Sequence, residues 1–222
     1  MIYCVGDSFT FGAELPDALD NGKPSQFAWP SLLGNMLQVD YANYGKQGCS
    51  NDRIINRSIE IAFSKKASVI IVAWSDPSRI DFLDKDGVFS VWPGRNAMRI
   101  EPSRAEIVKH LTAMHNEKTD NWYQRHWLRQ VILLQNFFRS HEQKYIMVQS
   151  HMSQWSNWNY RDQNKDLTQH IDDTYFAGWP YEGFTEWAYG TKEGPGGHFL
   201  EEGHNIIAHK LYAHIGRFGW FS

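Results

Sequence analysis

The segment at residues 2–12 reads Ile-Tyr-Cys-Val-Gly-Asp-Ser-Phe-Thr-Phe-Gly, a short apolar run followed directly by a Gly-Asp-Ser turn. An apolar run of this length and composition predicts a buried parallel strand, and glycine lets the chain turn tightly at its end. The hydroxyl of Ser8 is then presented at the carboxyl edge of a sheet, where open α/β folds bind ligands. Ser8 is therefore the candidate nucleophile. The alternative is that Asp7 and Ser8 only cap the first helix.

Three segments of the chain resemble the sequence blocks of one enzyme family, the SGNH (GDSL-type) hydrolases. Residues 6–12 resemble the first block, residues 43–50 (Asn-Tyr-Gly-Lys-Gln-Gly-Cys-Ser) the second, and residues 197–208 the last. The family consists of esterases and acetylesterases on a flavodoxin-like fold. The resemblance implies that Ser8 attacks an ester carbonyl, that the N–H of Gly48 donates to the oxyanion, and that the last block carries the base.

The third block departs from the family pattern. Gly-x-Asn-Asp is replaced by residues 73–76, Ala-Trp-Ser-Asp, so Ser75 stands where an asparagine amide would help hold the oxyanion. A hydroxyl can donate a hydrogen bond but has a shorter reach, and losing one oxyanion donor lowers turnover by about 100- to 1,000-fold. We assign Ser75, Gly48 and Asp7 to the oxyanion and substrate-binding site and expect weak or altered activity. Similar Trp-Ser/Thr-x-Pro-x-Arg variants occur in SGNH-like proteins of tailed phages, a hint of phage origin.

The last block supplies the candidate base. By resemblance His198 is the base, because a loop ahead of the terminal helix can bring an imidazole within reach of Ser8. His204 is the second candidate, although a structural role at the start of that helix is the stronger interpretation for it. Pro195 occupies the position of the family's acid and cannot serve. Glu193 is the expected substitute if the glycine-rich segment bulges; otherwise a backbone carbonyl or water would orient the imidazole, and a Ser-His dyad remains workable.

Length and composition limit the classes of protein to consider. The 222 residues fit a single domain, 1–222, and a net charge of −3 with a pI near 6.4 gives no reason to expect a nucleic-acid or membrane partner. No charged and apolar leader precedes the first strand, and no apolar run reaches membrane-spanning length, so we expect a cytoplasmic protein. The two cysteines, Cys4 and Cys49, are expected to be reduced and buried.

No metal or cofactor is expected. His204, His209 and His214 recur every five residues, which turns them around a helix instead of aligning them, and no His-Glu-x-x-His motif occurs. No glycine-rich loop carries the Lys-Ser/Thr of a phosphate cradle or the full dinucleotide fingerprint.

The pattern of apolar residues along the rest of the chain predicts a three-layer α/β/α sandwich. Its central sheet is expected to be doubly wound and flavodoxin-like, with four or five parallel strands. Asp-Gly at 86–87 between two β-prone runs predicts a hairpin inserted at 80–92. Further strands are predicted at 39–44, 67–74 and 144–150, and helices at 29–37, 51–66, 103–115, 122–140 and from 203 onward.

The segment at 151–190 is rich in aromatic residues and lacks periodicity. One interpretation is a sugar-stacking wall beside the catalytic histidine; the favoured one is an aromatic mini-core that packs this insertion onto the sheet. The aromatic residues concerned are Trp155, Trp158, Tyr160, Trp179, Tyr181, Trp187 and Tyr189.

These observations predict a serine ester hydrolase that acts on small acyl esters, including O-acetyl groups on carbohydrates. Ser8 is the nucleophile, and His198 is general base and then general acid. Two alternatives stay open. An O-acyltransferase would use the same residues while excluding water. A non-catalytic glycan-binding or virion-associated module is suggested by the substitutions at Ser75 and Pro195.

Overall fold

A computed structural model of the chain describes residues 1–64, 68–84, 87–91, 105–106, 108–110, 113, 120–151 and 163–221. Its strands are β1 Ile2–Gly6, β2 Tyr41–Gly45, β3 Val69–Trp74, β4 Ile80–Asp84, β5 Gly87–Val91, β6 Tyr145–Gln149 and β7 Phe176–Ala177. Its helices are α1 Ser8–Phe11, α2 Pro16–Asn21, α3 Trp29–Leu37, α4 Asn51–Ser64, α5 Asp120–Ser140, α6 Lys165–Thr168, α7 Phe184–Trp187 and α8 Glu201–Gly216, with a 3₁₀ turn at Asp173–Tyr175.

The central sheet is parallel and doubly wound, as predicted. Its five strands lie in the order β2-β1-β3-β6-β7, and every pairing is parallel. The chain moves outward from β1 to β2 and then returns to add β3 on the other side of β1. That reversal leaves a crevice at the carboxyl ends of the strands, where doubly wound folds bind ligands.

Two apolar layers cover the sheet, and β3 shows the division clearly. Its alternate residues Val69, Ile71 and Ala73 belong to one core with α3 and α8, because successive side chains of a strand point to opposite faces. Ile70, Val72 and Trp74 belong to the second core, with α4 and α5. The continuous apolar run of this strand is thus explained by burial on both faces.

The hairpin is also confirmed. Strands β4 and β5 pair antiparallel as a separate two-stranded sheet, with Asp84 opposite Gly87. The prediction missed β7, because a strand of two residues is too short to show periodicity. The helix predicted at 103–115 falls largely outside the described residues. Among those that are described, no helix combines the length and apolar character needed to cross a bilayer.

The aromatic insertion forms a mini-core where it is described. Trp179 packs against Trp127 and Phe176, and Trp187 packs against Phe184, with ring centroids 5.0 to 6.2 Å apart. The favoured interpretation therefore holds for the two described tryptophans. Tyr181 and Tyr189 are exposed, and Trp155, Trp158 and Tyr160 lie outside the described residues.

Candidate active site

Ser8 begins α1 directly after β1, at the carboxyl edge of the sheet. The side chain of Asp7 accepts a hydrogen bond from the N–H of Phe9 at 3.1 Å, so Asp7 caps this helix, and Gly12 ends it in a left-handed conformation with φ of 79°. The N–H of Ser8 lies in the first turn, where a helix offers no backbone acceptor. That N–H is therefore suited to receive an anionic oxygen.

The first two sequence blocks interlock through glycines and one amide. A side chain at Gly45 would lie 2.3 Å from the backbone nitrogen of Phe11, and one at Gly6 would lie 2.1 Å from the Thr10 hydroxyl oxygen. The amide of Asn43 donates to the carbonyl of Thr10 at 2.7 Å and accepts from the N–H of Gly45 at 2.8 Å. The end of β2 therefore sits against the helix that carries the serine, and a larger residue cannot replace either glycine.

Gly48 lies in the exposed loop after β2, at the same edge of the sheet. Its φ is +68°, a conformation that favours glycine, although an added Cβ would meet nothing within 4 Å. The loop is held by the N–H of Lys46, which donates to the carbonyl of Gly6 at 3.0 Å, and by the N–H of Cys49, which donates to the carbonyl of Lys46 at 3.1 Å. Gly48 thus remains the expected backbone donor to the oxyanion.

The hydroxyl of Ser75, which we expected to assist the oxyanion, makes a different contact. It donates to Asp7 Oδ2 at 3.0 Å and accepts from Arg79 at 2.9 Å. The side chain of Asn51 holds the backbone of Ser75 from both sides, at 2.8 and 3.1 Å. A hydroxyl has one hydrogen, and a buried carboxylate is a strong acceptor for it. In this arrangement the hydroxyl of Ser75 does not serve as an oxyanion donor.

Asp7 is the centre of a buried polar cluster. Besides Ser75, its Oδ2 contacts Arg79 at 3.3 Å, the hydroxyl of Ser150 at 3.2 Å and Nε2 of His151 at 2.7 Å. Burial raises the pKa of Asp7, but the charges of His151 and Arg79 and the hydrogen bonds to the carboxylate outweigh it and lower the pKa to about 2. We call Asp7, Ser75, Arg79, Ser150 and His151 the Asp7 cluster. Asp7 therefore stabilises the serine turn from within, which agrees with the capping alternative for this residue.

His198 is hydrogen-bonded to a carboxylate, and that carboxylate belongs to Glu14. Oε2 of Glu14 lies 2.8 Å from Nδ1 of His198 and also accepts from the backbone N–H of His198 at 3.1 Å. Oε1 accepts from the N–H of Gly196 at 2.7 Å. Partial burial raises the pKa of Glu14, and these hydrogen bonds lower it below its ordinary value. Because Nδ1 is directed to the carboxylate, Nε2 is the nitrogen that can take a proton from a hydroxyl.

Glu14 occupies the position for which the sequence suggested Glu193. Glu193 is exposed, and its backbone forms an antiparallel bridge with Phe199. Glu14 has a φ of 68°, in the left-handed region, which costs a residue with a side chain about 1–2 kcal/mol. Strain of this kind is concentrated at functional sites, where the surroundings hold the residue in place. The geometry therefore favours Glu14 as the carboxylate partner of His198.

Phe9 lies next to both His151 and His198, and it belongs to the same turn as Ser8. Its ring centroid lies 5.1 Å from that of His151 and 5.2 Å from that of His198. Since Phe9 directly follows Ser8, His198 is placed at the same edge of the sheet as the candidate nucleophile. His151 was missed in the sequence, although it follows a predicted strand immediately and the carboxyl-edge rule could have indicated it.

His204, the second candidate base, has a structural contact. Its Nδ1 accepts from the backbone N–H of Trp29 at 3.3 Å, so the ring caps the first turn of α3. The imidazole is fully buried, and burial, together with the charge of His198, lowers its pKa to about 4. Its neutral form therefore serves packing between α3 and α8, as the structural interpretation expected.

Other reactive groups are few in the part of the chain that is described. No group of three or more histidine, cysteine or acidic side chains there is arranged to hold a metal ion. Cys4 and Cys49 are buried free thiols, and burial raises the pKa of Cys49 to about 12. A thiol with so high a pKa carries little thiolate at neutral pH and is a poor nucleophile.

Solved structures with the same fold are SGNH and GDSL-type hydrolases. The chain is similar to a member of the lipolytic G-D-S-L family from Veillonella parvula, with 16% identity and a TM-score of 0.52 over 97% of this chain and 98% of that one. It is similar to the psychrotrophic esterase EstA from Pseudoalteromonas sp., inhibited by monoethylphosphonate, with 12% identity and a TM-score of 0.53 over 98% and 97%. It is also similar to a family two carbohydrate esterase from Clostridium thermocellum in complex with cellohexaose, with 14% identity and a TM-score of 0.56 over 99% and 64%.

These similarities establish the SGNH-type fold. At the level of sequence, no curated protein gives a significant match. A family profile does match, over residues 13–221, a stretch that includes Glu14 and His198 and begins after Ser8. The chain therefore belongs to DUF6071, a family of unknown function.

Proposed function

We propose that the protein is a serine ester hydrolase in which Ser8, His198 and Glu14 act together. The observation that carries the proposal is the contact of Glu14 with Nδ1 of His198, beside the turn that presents Ser8. This contact fixes the ring so that Nε2 is available as a base, which is the function of the carboxylate in serine hydrolase triads. The esterases among the structures with this fold support the same chemistry.

The proposed reaction follows from these positions. His198 removes the proton of the Ser8 hydroxyl as that oxygen attacks the acyl carbonyl. The N–H groups of Ser8 and Gly48 receive the oxyanion of the tetrahedral intermediate. His198 then gives its proton to the leaving alcohol, and a water molecule activated by the same imidazole releases the acid from Ser8. Glu14 orients the imidazole and stabilises its positive charge throughout.

The substrates we propose are small acyl esters, including O-acetyl groups on carbohydrates. The support is the carbohydrate esterase fold neighbour that was solved with cellohexaose. Because the hydroxyl of Ser75 is bonded to Asp7, the oxyanion has two backbone donors and lacks the third, side-chain donor of the family pattern. Loss of one donor lowers turnover by about 100- to 1,000-fold, so we expect a slow enzyme.

A serine-directed fluorophosphonate probe tests this proposal. We expect the wild-type protein to be labelled covalently and to hydrolyse p-nitrophenyl acetate, and Ser8→Ala to lose both properties. The matched control is Ser140→Ala, which removes an exposed hydroxyl at the end of α5 and should leave both unchanged. The same assay run with a sugar alcohol as acceptor distinguishes hydrolysis from acyl transfer.

Absence of labelling would contradict the proposal. It would favour the alternative of a glycan-binding module, for which the diversion of the Ser75 hydroxyl to Asp7 is the structural argument. Labelling that persists in Ser8→Ala would show that another serine reacts and would also contradict the assignment of the nucleophile.

A further inference from the structure

Arg79 ends the Trp-Ser-x-Pro-x-Arg variant of the third block, and the proposed reaction does not use it. Its guanidinium nitrogen Nη1 is the donor to three oxygens: Oγ of Ser75 at 2.9 Å, Oδ2 of Asp7 at 3.3 Å and the backbone carbonyl of Cys49 at 3.4 Å. The side chain of Arg79 is 5% exposed. Because a guanidinium keeps its charge in proteins and carries only donors, these contacts do not depend on a protonation state of Arg79.

Two of these oxygens belong to residues next to the backbone donors proposed for the oxyanion. Asp7 immediately precedes Ser8, and Cys49 immediately follows Gly48. The carboxylate of Asp7 also accepts from the N–H of Phe9 at 3.1 Å, so it is bonded to the chain on the far side of Ser8. The guanidinium of Arg79 therefore connects the turn that carries Ser8 with the loop that carries Gly48.

The Gly48 loop is joined to the third block through side chains, because β1 lies between β2 and β3 in the sheet. Asn51, three residues after Gly48, accepts from the N–H of Ser75 at 2.8 Å and donates to its carbonyl at 3.1 Å. Arg79 adds the contact with the carbonyl of Cys49. The segment that follows Gly48 is thus held by the end of β3 at two successive points.

We propose that Arg79 is a positioning residue that sets the spacing between the two oxyanion donors, the N–H groups of Ser8 and Gly48. This inference rests on the proposed ester hydrolysis at Ser8. Arg79 acts through Asp7 and Cys49 and is not assigned a contact with the substrate. Donors that are aimed in advance at the developing oxyanion stabilise the transition state without reorganisation. The third block of this chain then contributes by holding two backbone donors, in place of the asparagine amide that it lacks.

Replacement of Arg79 by lysine separates its charge from its reach. Arg79→Lys keeps a positive charge beside Asp7, but the side chain is one atom shorter and lacks the planar fork of donors. We expect kcat for p-nitrophenyl acetate, counted per serine titrated with the fluorophosphonate, to fall about tenfold because the oxyanion donors are misplaced. KM should change little, since the oxyanion contacts form mainly in the transition state. Arg129→Lys, at an exposed position of α5, is the matched control and should leave both constants unchanged.

A second measurement does not depend on turnover. Phenylboronic acid forms a tetrahedral adduct with a reactive serine and places an oxygen at the oxyanion position, and we expect its inhibition constant to rise about tenfold in Arg79→Lys. A purely structural role would lower the urea midpoint and the fraction of titratable serine, while kcat per titrated serine and the inhibition constant stayed at their wild-type values. That result would overturn the inference.

Ser75→Ala tests the inference without altering Arg79, and it serves also if Arg79→Lys does not fold. The variant removes the hydroxyl but leaves the direct contacts of Arg79 with Asp7 and Cys49, so we expect kcat to fall by less than about tenfold, whereas loss of a true oxyanion donor costs about 100- to 1,000-fold. A larger fall would assign the oxyanion to the Ser75 hydroxyl and overturn the inference. A wild type that the fluorophosphonate does not label would overturn the proposed function and this inference with it. A labelled wild type that Arg79→Lys equals in kcat and in boronic acid inhibition would overturn this inference alone.

Discussion

Two carboxylate–histidine pairs lie next to Phe9, and they differ more in their surroundings than in the distances within each pair. The distances are nearly equal, 2.7 Å for Asp7 with His151 and 2.8 Å for Glu14 with His198. The Asp7 side chain has no exposed surface and accepts hydrogen bonds from several side chains. The Glu14 side chain is 18% exposed, and besides its contact with the His198 ring it accepts from the backbone N–H groups of Gly196 and His198.

The unequal burial of the two carboxylates indicates which task each pair suits. A buried carboxylate that is surrounded by donors is rigid, and removing its charge affects folding. A carboxylate at the edge of the site can hold an imidazole whose second nitrogen remains available to exchange protons. We therefore assign the Asp7 pair to holding the serine turn and the Glu14 pair to proton transfer, and the following variants test that division.

The largest expected effect is on turnover, in Glu14→Gln. The variant keeps the size of the side chain but cannot stabilise the imidazolium of His198, and we expect kcat for p-nitrophenyl acetate to fall by about 1,000-fold. The matched control is Glu193→Gln, which alters the exposed acid suggested by the sequence and should leave kcat unchanged. The reverse result, with Glu193→Gln inactive and Glu14→Gln active, would assign the acid role to Glu193.

The next effect is on stability, in Asp7→Asn. Removal of the negative charge takes from the buried Arg79 the carboxylate with which it forms an ion pair, and breaking a buried ion pair in this way costs about 3–5 kcal/mol. We expect the free energy of unfolding, measured by urea denaturation, to fall by that amount. Glu14→Gln should change it by less than about 1 kcal/mol, because its pair is partly exposed. Equal losses in the two variants would contradict the division between the pairs.

Acid pH should reveal the same division. The pKa of Asp7 is lowered in the folded state from 3.8 to about 2, so the charged carboxylate stabilises the fold above the ordinary pKa. This contribution, about 2 kcal/mol, is lost as pH falls from about 5 to about 2. Urea midpoints measured across this range should decline in wild type and in Glu14→Gln, and should be flatter in Asp7→Asn. Wild-type urea midpoints that do not change with pH would mean that the pKa of Asp7 is not lowered in the folded state.

The smallest effect concerns the backbone at Glu14. Both Glu14→Ala and Glu14→Gly remove the carboxylate, but only glycine adopts a φ of 68° without strain. We expect the glycine variant to be more stable than the alanine variant by about 1 kcal/mol in urea denaturation. If the alanine variant is equally stable, the left-handed conformation is relaxed once the contact with His198 is lost.

The fold was predictable because its signals are local. The apolar run of β3 and the Asp-Gly pair of the hairpin each reflect properties of neighbouring residues, and both predictions were confirmed. The turn at Ser8 could be placed for the same reason, because a glycine ends a buried strand there. Strand boundaries shifted by one or two residues, as in β2, which begins at Tyr41 instead of Val39.

The contacts within the site were less predictable because they join distant parts of the chain. Glu14 and His198 are separated by 184 positions, and Glu14 lies in a stretch that resembles an ordinary surface loop. The bond from Ser75 to Asp7 depends on how two strand ends are aligned in the sheet, which the sequence of either strand does not reveal. His151 is the exception, since its place after β6 was a usable signal.

The position of Glu14 also affects how this scaffold could be rebuilt. The proposed nucleophile and acid, Ser8 and Glu14, lie within seven consecutive residues, 8 to 14, while the proposed base, His198, comes from the far end of the chain. Transfer of the final loop to a related protein would supply His198 without Glu14, which orients its ring in our proposal. Transfer of the short amino-terminal segment would supply Ser8 and Glu14 together. For protein engineers, the unit to exchange is therefore residues 6–14, with the recipient's own histidine loop retained.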